Sequence, residues 1–384
     1  MSDGTRRVVY LRWAASRAAM ALLYALRPMI GGDTNYYRTT MAAGHGVAHT
    51  LLEYPTAAYG LIRSVWGLAP SGPGFLLTWV GLMLAIDLGF FTLLVRTRSS
   101  AGVRFWILAG PALGPIILLR FDLVPAVLVG IAALYAARHP RVAGAAVALA
   151  ALVKYWPAAV LPSAIRMTRH RLALVVGFLA TAAIGGAVAL LTTGWHRQFT
   201  PLTWQSHRGL EFEAIWATPV MVLRAFRPHA YTVAESAYQS IDITGPGVSA
   251  MITAATVTEV LVVLLLAYAW WQRRKDATAA HGVWLMLATI GGLILTDRVF
   301  SPQYMVWLLP PTAVALAIDA RRSTQRWALL LLTTAVLTQL RYPFLQQRHV
   351  PLGVSVSVEV VRNALIVVLF VLALRKALRP AVAD

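Results

Sequence analysis

Apolar runs of bilayer-spanning length recur from one end of this chain to the other, and short clusters of arginine separate them. A helix that crosses a bilayer needs about 20 mostly apolar residues, within a range of roughly 17–25. Runs near this length fall at 9–28, 75–95, 104–119, 122–137, 172–193, 250–271, 282–298, 302–318, 326–345 and 355–375. Backbone N–H and C=O groups inside lipid have no water to bind, so each run predicts a helix. The expected fold is an all-α polytopic membrane protein, a bundle of about ten spans forming a single integral membrane domain over 1–384. Composition agrees: 58% of the residues are hydrophobic, 13% are charged, and the mean hydropathy is +0.65, unlike a soluble domain. The absence of cysteine removes disulfides and thiolate metal sites. Arg12, Arg17 and Arg27 interrupt the first apolar run, and no small-residue cleavage site follows it. That predicts a retained first helix, not a cleaved leader.

A net charge of +19 suggests nucleic acid at first sight, but its distribution argues for a membrane. The basic residues gather between apolar runs, at Arg96 and Arg98, Arg138 and Arg141, Arg166, Arg169 and Arg171, Arg273-Arg274-Lys275, Arg321-Arg322, and Arg375-Lys376. This is the positive-inside pattern of cytoplasmic loops beside anionic lipid. It puts both termini in the cytoplasm and two long loops, 29–74 and 194–249, on the outer face. Both loops are rich in aromatic residues, proline and histidine, which predicts short interfacial helices and a compact cap. Residues 142–165 are apolar but lie between two basic clusters; if both flanks are cytoplasmic they cannot cross once, whereas one ordinary span would put the later basic clusters outside. Lys154-Tyr155-Trp156-Pro157 and Pro162 break their helix ladder. A re-entrant, broken hairpin that carries Lys154 into the bundle is the expected shape.

Acidic residues number only 15, and about half of them map to the outer face. Asp33, in Gly31-Gly32-Asp33-Thr34-Asn35-Tyr36-Tyr37-Arg38, is either a helix N-cap or a general base with Tyr36 and Tyr37 on the same helical face. In Arg120-Phe121-Asp122, the arginine and the aspartate either pair to hold a turn or enter a site. Lys154 either snorkels to the interface or supplies a counter-charge to phosphate. His207, Arg208, Glu211 and Glu213 form the densest polar cluster of the second loop. The Glu211-x-Glu213 pair lacks the further oxygen ligands that a hard cation needs, so no metal is expected. Asp297-Arg298 and Ser301-Pro302-Gln303-Tyr304 interrupt an apolar run at the outer face, where Arg298 is placed to bind an anionic group. Arg17, Lys154 and Arg362, and the acids Asp87, Glu259 and Glu359, fall inside apolar stretches.

Taken in order, these stretches resemble a bacterial glycosyltransferase of the GT-C fold, of the glycosyltransferase 87 family. That family includes actinobacterial mannosyltransferases that use polyprenol-phosphate-mannose and act on phosphatidylinositol mannosides. The resemblance is carried by Asp33 with Tyr36-Tyr37, Glu53-Tyr54-Pro55, Arg120-x-Asp122-x-x-Pro125, Lys154-Tyr155-x-Pro157, His207-Arg208-Gly209-Leu210 with Glu213, and Ser301-Pro302-Gln303-Tyr304. The chain departs from the family at Thr56, where a second proline is common, and at Ala214, where serine is common.

The resemblance implies a sugar, mannose in the first instance, moved from a polyprenyl-phosphate donor to a lipid-linked or glycan acceptor at the outer face of a bacterial plasma membrane. Asp33 would be the base of an inverting displacement. Arg208, Arg298, His207 and Lys154 would hold the donor phosphate. Tyr36, Tyr37, Glu53, Tyr54, Asp122, Glu213, Gln303 and Tyr304 would bind substrate. The lipid-borne sugar is a substrate, so no cofactor is implied. The partners expected are the donor, the acceptor and membrane lipid, with no nucleic acid; the sequence assigns no oligomeric state. Two rival readings remain: a transporter or flippase for a lipid-linked sugar, which the broken segment and the in-span acids would suit, and a membrane scaffold without chemistry.

Overall fold

A computed structural model describes residues 3–272, 278–346 and 350–379. Arg273-Arg274-Lys275 and Arg348 lie outside the described residues. The chain is helical almost throughout, as the apolar runs require. It opens with α1 (Asp3–Leu26), a short 3-10 turn at Pro28–Gly31, then α2 (Gly32–Ala42) and α3 (Thr56–Leu68). Two short helices, α2 and α3, occupy the first loop, where short interfacial helices were expected. There follow α4 (Gly72–Arg96), α5 (Ser100–Leu113), the short α6 (Ile116–Leu119), α7 (Leu123–Tyr135), α8 (Pro140–Val153) and α9 (Leu161–Arg166). The expected single run at 104–119 is thus split. Gly114 takes φ +79 between α5 and α6, a conformation that glycine adopts without a Cβ clash.

The segment around Lys154 breaks as its prolines dictate. Backbone at Lys154 is extended, a 3-10 turn spans Trp156–Val160, and α9 continues from it. The long α10 (Arg171–Ser206) then runs parallel to α8: Gly177 lies against Arg141, Gly144 against Leu174 and Phe178, and Gly185 against Leu152. Glycine at these positions lets the two backbones approach closely. Because α8 and α10 run in the same direction, residues 154–166 must return the chain to the level at which α8 began. Ser163 accordingly meets Thr289, Oγ to Oγ1 3.4 Å, and Met167 packs on Gly282. The segment is a broken hairpin with Lys154 at its tip.

Within α10, Gly194 has φ +76 and ψ 170, which kinks the helix where the second outer loop was expected to start. That loop holds the last turns of α10, a 3-10 turn at Ile215–Ala217, α11 (Thr218–Phe226) and a feature the all-α expectation did not include. This is a two-stranded antiparallel hairpin of β1 (Thr232–Glu235) and β2 (Ile241–Thr244). The remaining helices are α12 (Val248–Gln272), α13 (Ala279–Thr296), α14 (Leu309–Ile318), α15 (Arg322–Gln339) and α16 (Leu352–Leu378), with a 3-10 stretch at Pro302–Leu308 before α14.

Among the described residues, five helices are long and apolar enough to cross a membrane: α4, α10, α12, α13 and α16. Some expected spans are shorter than a bilayer, as α7 is, or are broken by proline, as at 302–318. Helix α13 is the central one; nearly its whole surface is buried, and α12, α14, α16 and α9 pack on it. By contrast, α10 and α12 expose most of their apolar side chains, the composition of a lipid-facing surface.

Candidate active site

A cavity of about 770 Å³ opens where α2, the Arg120–Asp122 turn, the tip of the broken hairpin, the loop after α10 and the segment after α13 converge. Its lining includes all but one of the residues expected at the site. The exception is His207, which is exposed. Its Nδ1 lies 2.7 Å from the Thr203 carbonyl, and its ring stacks on Tyr238 at 5.5 Å. His207 therefore supports the loop and does not face the cavity.

Asp33 sits in the first turn of α2, yet it is not a cap. The N-cap position is Gly31, and no side chain caps the helix. Its carboxylate instead forms an ion pair with Arg120, Oδ2 to Nε 2.7 Å, and its side chain remains 37% exposed at the cavity. Arg120 is buried and also donates to the Ile30 carbonyl at 3.3 Å, while Thr34 Oγ1 donates to the Leu119 carbonyl at 3.1 Å. The start of α2 is thereby fastened to the 119–122 segment.

The turn pair expected between Arg120 and Asp122 does not form. Arg120 goes to Asp33, and Asp122 goes to Lys154, Oδ1 to Nζ 2.6 Å. Trp307 Nε1 donates to the same Asp122 oxygen at 2.7 Å. Lys154 lies over the rings of Phe121, Tyr304 and Trp307 at 5.0–5.3 Å, where the negative ring faces attract a cation. Trp307 is stacked between Tyr304 at 4.2 Å and Trp156 at 4.7 Å. Lys154 thus neither snorkels nor stands free; a carboxylate already neutralises it within an aromatic wall. Gln303, beside Tyr304, also lines the cavity.

On the opposite wall, Tyr36 donates to Glu53, Oη to Oε1 2.8 Å. Tyr37 is enclosed by Tyr54, Trp79 and Phe121, with ring centroids 5.2–6.2 Å away. Burial raises the Glu53 carboxyl above the usual range, opposed by a backbone N–H, by Tyr36 and by the charges of Arg208 and Arg197. Burial first, and then Glu53, raise the Tyr36 hydroxyl, so this pair shares a proton donated by the phenol.

Arg208 and Arg298 differ from Lys154. Arg208 donates Nε to the Tyr238 carbonyl at 3.0 Å, and Trp204 Nε1 reaches the same carbonyl at 3.0 Å. Arg298 donates to Thr256 Oγ1 at 3.0 Å. Neither forms an ion pair with a carboxylate among the described residues, and both line the cavity. Their segments are joined, since Glu211 N donates to the Arg298 carbonyl at 2.9 Å. Next to Arg298, burial pushes Asp297 up to about 6, against a hydrogen bond from Val299 N and the charge of Arg208. Among the described residues no group of His, Asp and Glu gathers as a metal ion would require.

Beneath the cavity, Glu213 receives Arg362 at 2.6 Å and Arg341 at 3.5 Å, and Arg341 also pairs with Glu359 at 3.1 Å. Glu213 is 2% exposed; these arginines match its charge where it lines the floor of the cavity. Sequence reasoning missed Arg120 as the partner of Asp33, and Arg341 altogether. Their signal was available: an arginine at the edge of an apolar run must find an acid. No protein-family model, curated protein or solved structure matches this chain.

Proposed function

We propose that the protein is a membrane glycosyltransferase that moves a sugar from a polyprenyl-phosphate donor to a hydroxyl of a lipid-linked or glycan acceptor at the outer face of a bacterial plasma membrane. The donor sugar is mannose on the strength of the resemblance to glycosyltransferase 87 enzymes. The observation that carries the reading is one cavity lined by an accessible, oriented carboxylate, Asp33, and by two guanidinium groups, Arg208 and Arg298, committed to no acid.

In this reading Arg120 holds Oδ2 of Asp33 and leaves Oδ1 for the acceptor. Asp33 takes the acceptor hydroxyl proton as the oxygen attacks the anomeric carbon. The bond from that carbon to the phosphate oxygen breaks, and its electron pair leaves with the phosphate. Arg208 and Arg298 stabilise the charge that grows there. A phosphate leaving group needs no second carboxylic acid, unlike the leaving group of a glycosidase. One displacement inverts the anomeric centre. The stack of Trp156, Trp307 and Tyr304 offers an apolar wall for a sugar ring, and Glu53 an acceptor for its hydroxyls. Lipid tails would lie along the exposed apolar faces of α10 and α12, with both termini cytoplasmic as the basic clusters imply.

The broken hairpin with Lys154 at its tip favours one second reading, a flippase for the same lipid-linked sugar. Reconstituted protein incubated with labelled polyprenyl-phosphate-mannose and candidate acceptor glycolipids separates the two. Mass spectrometry detecting a glycosylated acceptor supports transfer; donor moving between leaflets with no product supports the flippase.

A further inference from the structure

Glu211 is held at the cavity by backbone N–H groups and not by a cation, and the reaction as described does not use it. Its Oε2 accepts from the backbone N–H of Glu213 at 3.0 Å and of Phe300 at 3.2 Å. Its own N–H donates to the Arg298 carbonyl at 2.9 Å, and it forms a bridge to Asp242. The side chain is thereby fixed against the segment that bears Arg298. Oε1 has no hydrogen-bond partner among the described residues and is the oxygen left toward the cavity that Glu211 lines.

The surrounding charges already balance without it. Glu213 and Glu359 are matched by Arg341 and Arg362. Asp242 lies across the bridge, with its Oδ2 accepting from Gly209 N, and Arg298 presents its carbonyl, not its guanidinium, to Glu211. An ionised Glu211 would therefore be a buried charge with no cation of its own, a costly state. An ionised carboxylate would also repel an anionic ligand between Arg208 and Arg298.

We propose that Glu211 contacts the substrate as a neutral carboxylic acid, donating the Oε1 proton in a hydrogen bond to the donor phosphate beside Arg208 and Arg298. Because Oε2 already accepts two N–H groups, the proton belongs on Oε1, the oxygen facing the ligand. Burial, then the charges of Glu213 and Glu359, push this carboxyl well above the usual range, consistent with a proton held at neutral pH. Glu211 is then a specificity residue that accepts a phosphate and rejects a cationic group in its place. This inference rests on the donor reading above.

The test is binding of polyprenyl-phosphate-mannose to the full chain in nanodiscs between about pH 6 and about pH 10. The phosphodiester keeps one negative charge throughout, so the pH course reports the protein. The expected result is wild-type binding that weakens roughly tenfold as Glu211 ionises at alkaline pH. Glu211→Gln, which keeps an acceptor for the two N–H groups and a donor toward the ligand, binds within about threefold of wild type at neutral pH without the alkaline loss. Glu211→Ala binds roughly tenfold more weakly than wild type at neutral pH and shows no further alkaline loss. A Glu211→Gln protein that melts with wild type but binds as poorly as Glu211→Ala overturns the inference. So does a pH course that Glu211→Gln shares with wild type, while the donor reading survives either result. No wild-type binding at any pH overturns the donor reading and this inference with it.

Discussion

Asp87 and Asp33 are both carboxylates gripped by a buried arginine, and they are built for opposite purposes. Asp87 lies between α1, α4 and α5. Arg17 reaches it through Nε at 2.8 Å and through its terminal nitrogen at 2.6 Å, while Trp13 and Trp106 each donate to it at 2.8 Å. Both oxygens are saturated and the side chain is fully enclosed. Asp33 has one arginine on one oxygen and is 37% exposed at the cavity. The ion pair is common to both; what differs is the oxygen left over. A saturated carboxylate fastens helices together, whereas a half-saturated one is oriented and still open to a ligand.

The largest effect expected from this contrast is on stability. Asp87→Ala leaves Arg17 buried without its partner and should cost about 3–5 kcal/mol, read as a large fall in melting temperature in detergent. Asp33→Ala also strips the acid from a buried arginine, Arg120, but on the side that opens to the cavity, so it should cost less, about 1–3 kcal/mol. Equal losses at the two sites would erase the distinction. Next come the two arginines without acids. Arg208→Ala or Arg298→Ala should slow sugar transfer by about 10²-fold, as loss of a charge-stabilising donor does. Lys154→Met, which removes a cation already neutralised by Asp122, should act through folding, with a lowered melting temperature that accounts for its lost activity.

Smaller again, Tyr36→Phe removes the donor to Glu53 and should weaken acceptor or donor binding by about fivefold, the worth of one hydrogen bond, seen in KM more than in kcat. The smallest effect concerns Asp297. Its folded value, raised to about 6, exceeds the usual carboxylate value of about 4. The unfolded chain therefore loses this proton first, and stability falls as pH rises through that interval. Asp297→Asn should melt with wild type at the acidic end and gain over it at neutral pH; a gain at acidic pH only would contradict the assignment.

The sequence made some of these relationships legible and hid others, for physical reasons. Proline at 157 and 162, between two basic clusters, was enough to predict a broken hairpin that carries Lys154 into the bundle, though not that Lys154 sits at its tip. The end of the apolar run at 193 located the start of the second loop, and the structure puts a glycine kink there, at Gly194. Pairings were not legible. An arginine in an apolar run announces that it needs an acid, but not which one. Arg17 finds Asp87 70 positions away, and Arg362 finds Glu213 149 positions away. Adjacent residues misled in the same way, since Arg120 and Asp122 point to Asp33 and Lys154 and not to each other. Glu213 was expected to meet substrate, and the two arginines that hold it at the cavity floor, Arg341 and Arg362, were not legible from its loop. The β1–β2 hairpin was unforeseen because its strands are four residues each, too short for alternation to stand out within a polar loop.

The central claim is that Asp33 is a base and not a structural carboxylate, and Asp33→Asn tests it most directly. The protein is reconstituted with labelled polyprenyl-phosphate-mannose and an acceptor on which the wild type acts. The account predicts a melting temperature and donor binding like those of wild type, with transfer reduced by about 10²–10⁴-fold. Transfer at the wild-type rate from a folded Asp33→Asn protein would contradict it.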